Sequence, residues 1–276
     1  MRRNPRLIIA IVIALAGALT YFTSKSTNEI TGERQSVALS PDQEIALGLQ
    51  AQPEMAQQFG GEVDHRINDY VEAVGQRVVQ QSAAARTPYK FDFHVLADPQ
   101  TVNAFALPGG QISITLGMLR KLHSEAELAA VLGHEIGHVV GRHGAEQLSK
   151  QQFAQALVGA VGVATYDGTG GQQEAAIAAA VAQLVQMRYG RQDELQSDSI
   201  GVHFMKSGGY DPRGMLALME VLAGEGGGRA QSEFFSTHPS PENRMGRIRS
   251  HIEAAGTGGE VGEDRYRASV LAYLSR

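Results

Sequence analysis

Residues 124–144 read Ser-Glu-Ala-Glu-Leu-Ala-Ala-Val-Leu-Gly-His-Glu-Ile-Gly-His-Val-Val-Gly-Arg-His-Gly. Ser124 followed by Glu127 is the signature of a capping box, so a helix starts here. Its apolar side runs through Leu128, Val131, Leu132, Ile136 and Val139. Within it lies His134-Glu135-Ile136-Gly137-His138. On a helix, positions i and i+4 differ by about 40° and rise about 6 Å, so both imidazoles leave one face and can grip one metal ion. Glu135 is turned by about 100° from His134, beside the metal, where it can act as general base toward a water. With nine histidines in the chain, composition alone places HExxH in about 2% of such sequences. The plainer reading is two exposed histidines. It weakens because Leu132, Ile136 and Val139 mark the helix as buried, and buried polar groups without partners are costly.

The composition narrows the chemistry further. The chain has 276 residues, 43% hydrophobic and 19% charged, which is enough to bury a core. Lys+Arg 24 against Asp+Glu 29 leaves −5, so the chain is not built to coat nucleic acid, and no nucleic-acid partner is expected. There is no Cys, which excludes disulfide scaffolds, zinc ribbons, thiol nucleophiles and iron–sulfur sites. A transition metal must then be held by His and carboxylates.

A catalytic zinc usually takes three protein ligands and keeps a fourth position open. The HExxHxxGxxH arrangement does not fit: Gly141 is in place, but the position that needs the third His is Gly144, and His143 falls one residue short. If the helix simply continues, His143 sits about 180° from His134 and cannot share its metal. A better source is Arg191-Gln-Asp-Glu194-Leu-Gln-Ser-Asp198, where Glu194 and Asp198 share a helical face at i, i+4. One can bind the metal while the other holds a ligand histidine by its remaining N–H. The bland reading is a solvated acidic face paired with Arg191; the HExxH helix tips the balance to metal binding. Phe235-Ser-Thr-His238-Pro-Ser-Pro241 adds a loop histidine. His238 could neighbour a helix cap, stabilise the oxyanion of a tetrahedral intermediate, or fill the open metal position. His65, His94, His123, His203 and His251 read as surface or packing residues.

The rest of the chain supplies the frame. Arg2, Arg3 and Arg6 precede the apolar run Leu7–Leu19, which has the form of an export signal or an uncleaved N-terminal anchor over residues 1–24. Residues 25–40 read as a polar linker. Ser40-Pro41 starts a helix, and 64–84 carries apolar residues at helical spacing. Phe91–Leu96 alternates like a strand. Asn103–Ala106, a Pro-Gly-Gly turn and Gln111–Thr115 form a hairpin, which Pro108 puts at or near a sheet edge. Two Ala/Val-rich stretches at 153–165 and 175–185 suggest a helical hairpin. A helix over 189–207 ends at Gly208-Gly209. Another starts at Asp211-Pro212, then come a Gly-rich loop over 224–229 and a helix from Pro241. Residues 41–255 make one α+β domain, and 256–276 a Gly-containing linker with a short C-terminal helix.

These segments resemble the HtpX-like and CAAX-prenyl-protease-like zinc metallopeptidases, peptidase family M48, most closely the exported bacterial type. The resemblance runs from about Ser40 to about Ile252 through NAFALPGG…ISITLGML, HEIGHVVGRH, ELQSD, GYDP and STHPSPENR. It implies a zincin-like (gluzincin) fold and one Zn2+ per chain held by His134, His138 and Glu194. It makes Glu135 the base and Asp198 the support of a ligand, with His238 and Arg244 matching the family's His before Pro and its later Arg. Gln196 and Ser197 stand where the family's usual E-x-E-A-D segment has Glu and Ala. The hairpin residues Asn103, Ala104, Phe105 and Ala106 would take an extended substrate by strand addition. Residues and resemblance together predict a zinc endopeptidase working outside the cytoplasmic membrane, periplasmic or membrane-anchored. Its substrates would be unfolded or misassembled envelope proteins, with membrane association through the N-terminus. The rival reading is a zinc-stabilised assembly or chaperone-like factor with little turnover. Intact Glu135 speaks against it, and His238 as a fourth ligand would speak for it.

Overall fold

The computed structural model describes residues 5–165, 188–224, 234–239 and 243–275. Three strands make the sheet that frames the site: β3 (Asp92–Leu96), β4 (Ala104–Ala106) and β5 (Gln111–Thr115), after an N-terminal pair β1 (Lys25–Thr27) and β2 (Arg34–Ser36). The order is β3-β5-β4, with β5 parallel to β3 and antiparallel to β4. The hairpin is therefore present, and β4 is the edge strand. Every residue of β5 is buried, because both faces of the sheet are covered. Phe93, Val95, Ile112 and Ile114 join the main core, while Leu96, Phe105 and Leu107 pack with Ala51 and Met55 in a smaller one.

The helices follow their sequence signals closely. In α2 (Pro41–Gln58) Ser40 Oγ accepts from Gln43 N and Gln43 Oε1 from Ser40 N, a complete capping box. In α3 (His65–Gln80) Asp64 caps the start, and Ile67, Val71, Val74 and Val78 face the core. α4 (Leu116–Lys121) leads to α5 (Glu125–Val140), which carries HExxH and is buried at all 16 positions. Ser124 Oγ accepts from Glu127 N, but the Glu127 carboxylate accepts from His123 N, one residue outside the box. α6 spans His143–Thr165, α7 Arg191–Ser207 and α8 Gly214–Gly224. The short α9 (Phe234–Thr237) precedes His238, and α10 covers Arg244–Ala255. The second arm of the proposed helical hairpin, the Gly-rich loop beyond Gly224 and Pro241 lie outside the described residues.

Two terminal stretches depart from expectation. The polar 25–40 segment is not a free linker: β1 and β2 pair as a hairpin, and buried Asn28 and Gln35 donate to the carbonyls of Val140 and Gly141. Those are carbonyls that the end of α5 would otherwise leave without partners. The segment after Ala255 is likewise docked rather than loose. Glu260 pairs through its backbone with Gly209 and Asp211. The helical run Glu263–Leu274, with a π turn at Arg267–Leu271, buries Tyr266 and sends its hydroxyl to Leu119 O at 2.6 Å. At the other end α1 (Pro5–Thr23) lies along α6, with Tyr21 stacked on Phe153 at 4.9 Å. Among the described residues no helix is long and apolar enough to cross a membrane.

Candidate metal centre

The site depends on how closely α5 and α7 approach. A Cβ on Gly137 would lie 3.0 Å from Ser197 Cα and O, so glycine there lets α7 approach α5 closely, and any side chain would have to shift it. The close crossing delivers Glu194 and Asp198 from α7 to the two histidines of α5. Asp198 Oδ1 lies 2.9 Å from His134 Nδ1. A carboxylate only accepts, so Nδ1 carries a proton and Nε2 is the nitrogen left for a metal. Arg244 from α10 fastens Asp198, donating from Nε to Oδ2 at 2.7 Å and from Nη2 to Oδ1 at 2.9 Å.

The free side of His134 faces three more donors. His134 Nε2 is 3.0 Å from His138 Nε2 and 3.3 Å from His238 Nδ1. Glu194 Oε1 is 3.4 Å from His138 Nε2 and 3.1 Å from His238 Nδ1, and Oε2 is 3.5 Å from His134 Nε2. These four residues are buried, and their ligand atoms all lie within 4.8 Å of one another. A tetrahedron of N and O ligands about 2.0–2.1 Å from one ion has edges of about 3.3–3.4 Å, close to these separations. Buried polar atoms that converge in this way are costly unless protons or a cation sit among them. The donor set therefore fits a metal ion of the zinc kind.

Charge and burial act on each group differently. Burial pushes His134 down, but the Asp198 and Glu194 carboxylates outweigh it and lift the imidazole to about 9. Burial holds His138 well below its ordinary value. Glu194 would be raised by burial, but the charge of His238 and hydrogen bonds from His134 and His138 bring it well below the usual carboxylate range. Asp198 is likewise lowered, burial being outweighed by Arg244. Glu135 is raised by burial. Both its oxygens are buried without a hydrogen-bond partner, and the nearest basic atom is His238 Nε2 at 3.6 Å from Oε1.

Several contributors escape a reading of the sequence. Tyr189 stacks on His138 with ring centroids 3.8 Å apart and sends its hydroxyl to Ala106 O of β4 at 3.3 Å. Its only signal is an aromatic one residue before the Gly190 cap. Phe234, four residues before His238, stacks on that imidazole at 4.4 Å. His143 does not continue α5 as assumed. Gly141 ends the helix, Arg142 takes φ 57°, and the His143 ring folds back over Gly141, where a Cβ would run into it. His143 stays outside the four-donor set but touches the far nitrogen of His138 at 3.0 Å. Of the hairpin residues, Asn103, Ala104 and Phe105 are buried and Ala106 is partly exposed.

A buried carboxylate with no partner beside a cluster of metal donors is what metal-dependent hydrolysis needs. The chain belongs to peptidase family M48, whose model matches residues 65–252. It is similar to the beta-barrel assembly-enhancing protease of Escherichia coli (strain K12), 31% identical over 195 residues, which is 68% of this chain and 39% of that protein. The same protease of Yersinia pestis is 29% identical over 225 residues, 79% of this chain and 46% of that one. The mitochondrial metalloendopeptidase OMA1 of Schizosaccharomyces pombe is 30% identical over 243 residues, 87% of this chain and 70% of its own. The chain thus spans less than half the length of these bacterial relatives.

Proposed function

We propose that the chain is a zinc endopeptidase of zincin-like fold that cleaves unfolded or misassembled envelope proteins outside the cytoplasmic membrane. The observation that carries this reading is the pairing of the four buried donors with the unpartnered Glu135. His134 Nε2, His138 Nε2 and the Glu194 carboxylate would hold one zinc ion. Bound there, zinc supplies a Lewis acid for the scissile carbonyl and acidifies water. Glu135, poised by burial and free of hydrogen bonds, takes the proton of the attacking water and passes it to the leaving amine nitrogen. Asp198 and Arg244 hold His134 in the right tautomer while this happens. The edge strand β4, with Asn103 leading in and Ala104, Phe105 and Ala106 along it, receives an extended peptide by strand addition. Tyr189 ties that strand to His138.

The N-terminal segment is the export signal or anchor in this reading. Its exposed Ile8, Ile11, Val12, Leu15, Leu19 and Phe22 support membrane association. The names of the bacterial relatives support envelope substrates. His238 favours a second reading, because its Nδ1 lies among the metal donors. In that position it would act as a latch on the fourth site, or make the chain an assembly factor of low turnover. Digestion of casein with the full chain, with and without chelator and with Glu135→Gln as control, tests the choice. Chelator-sensitive cleavage that Glu135→Gln removes supports the peptidase. Zinc retained without any cleavage, in the parent and in His238→Ala alike, leaves the assembly factor.

A further inference from the structure

His138 has two ring nitrogens, and only one of them faces the donor cluster. Nε2 lies beside His134 Nε2 and Glu194. Nδ1 points the other way, and its only hydrogen-bond partner among the described residues is Nδ1 of His143, at 3.0 Å. A histidine that binds metal through Nε2 must carry its proton on Nδ1, and that buried N–H needs an acceptor. His143 Nδ1 must then offer a lone pair, which places the His143 proton on Nε2. That nitrogen lies 2.8 Å from Gln196 Oε1, a carbonyl oxygen that can only accept. Ser197 Oγ also lies near His143 Nδ1, at the longer distance of 3.3 Å.

Turning the Gln196 amide over would reverse every proton. Gln196 would donate to His143 Nε2, and His143 Nδ1 would donate to His138 Nδ1. His138 would then carry its proton on Nε2, aimed at the other donors and closed to metal. The single orientation consistent with a working His138 is the one in which Gln196 accepts. We infer that Gln196 and His143 form a relay that fixes the tautomer and ring angle of His138, as Asp198 and Arg244 do for His134. The two ligands of α5 would be held by unlike devices, one charged and one neutral. Both residues are positioning residues, and the inference rests on the reading of His138 as a metal ligand.

Three features make the relay structural rather than accidental. Gly141 leaves the room that the His143 ring occupies, and Arg142 turns the chain at φ 57° to put it there. Tyr189 covers one face of His138 and so limits the tilt of the ring. Gln196 sits at the half-buried rim of α7, where a substitution need not disturb the core.

The test is competition for zinc between the metal-free full chain and a chromophoric chelator, with the cobalt spectrum as a second readout of ligand geometry. Gln196→Met keeps the length but removes the acceptor, and should weaken zinc binding by about 10–100-fold, the usual cost of losing such a support. Gln196→Glu keeps an acceptor oxygen and should bind zinc like the parent, with an unchanged cobalt spectrum. His143→Phe should weaken binding at least as much as Gln196→Met. Parental zinc affinity in Gln196→Met, or equal losses in the Met and Glu variants, would overturn the relay. His138→Ala separates the two levels. If it leaves zinc affinity intact, the ligand reading itself fails; if it abolishes binding while Gln196→Met does nothing, only the relay fails.

Discussion

Asp198 reaches across from α7 to within 2.9 Å of His134 Nδ1, although 64 residues separate the two in the chain. In the proposed zinc site Asp198 supports His134, while Glu194 faces both histidines. Glu194→Ala should therefore strip zinc from the purified protein. Asp198→Ala should weaken zinc binding by about 10–100-fold without abolishing it. Metal analysis of both variants checks the order, and the opposite order would exchange the two roles.

Glu135→Gln should retain zinc and lose hydrolysis by about 10²–10⁴-fold, since the amide fills the same space but cannot take a proton. Single-turnover cleavage at matched zinc content measures this. Near-parental turnover would remove Glu135 from the role of base.

His238→Ala should raise basal cleavage at matched zinc occupancy, because His238 Nδ1 lies among the metal donors and its Nε2 faces the base at 3.6 Å. A fall of about 10²–10³-fold would instead make His238 an oxyanion donor. The rate of peptide cleavage decides between them.

Gly137→Val should be felt at the site and in stability. A side chain there meets Ser197 Cα and O at 3.0 Å and must push α7 away from α5. Overpacking of this kind costs about 1–3 kcal/mol, readable by denaturant unfolding, and zinc affinity should fall with it.

The docked C-terminal segment should loosen first in acid. Glu260 is held below its ordinary 4.5 by hydrogen bonds from Arg77 and Arg265. Asp211 is held below 3.8 chiefly by Arg213. Depressed carboxylates contribute stability that is full above their ordinary values and is lost as pH falls through the folded ones. Hydrogen exchange of residues 256–274 should therefore accelerate below about pH 4.5, ahead of α5. Uniform exchange across both segments would contradict this.

The helices and the hairpin were legible because their signals are local: Ser40 before Pro41, the helical spacing of Ile67, Val71, Val74 and Val78, Ser124 with Glu127, and the alternation of Phe93 and Val95. His134, His138, Glu194 and Asp198 could be grouped from spacing alone, since two helical faces with complementary ligands have little else to do. Arg244 carried no such spacing and entered through family resemblance. His143 could not be placed, because its position depends on a chain reversal at Arg142 that no periodicity announces. Asn28 and Gln35 read as linker for a related reason. Their partners are the carbonyls of Val140 and Gly141, more than a hundred residues away, and any polar side chain of the right reach would read the same.

That attachment has a mechanical side. The last turn of α5 is bolted through Asn28 and Gln35 to the strand pair that follows α1, and through Arg142 to Glu44 and Leu39 O at the start of α2. A pull on the N-terminal helix would be carried to that turn before it reached the sheet or α7. The Gly141–Arg142 reversal adjoins that attachment, so a displacement of it would draw His143 off His138.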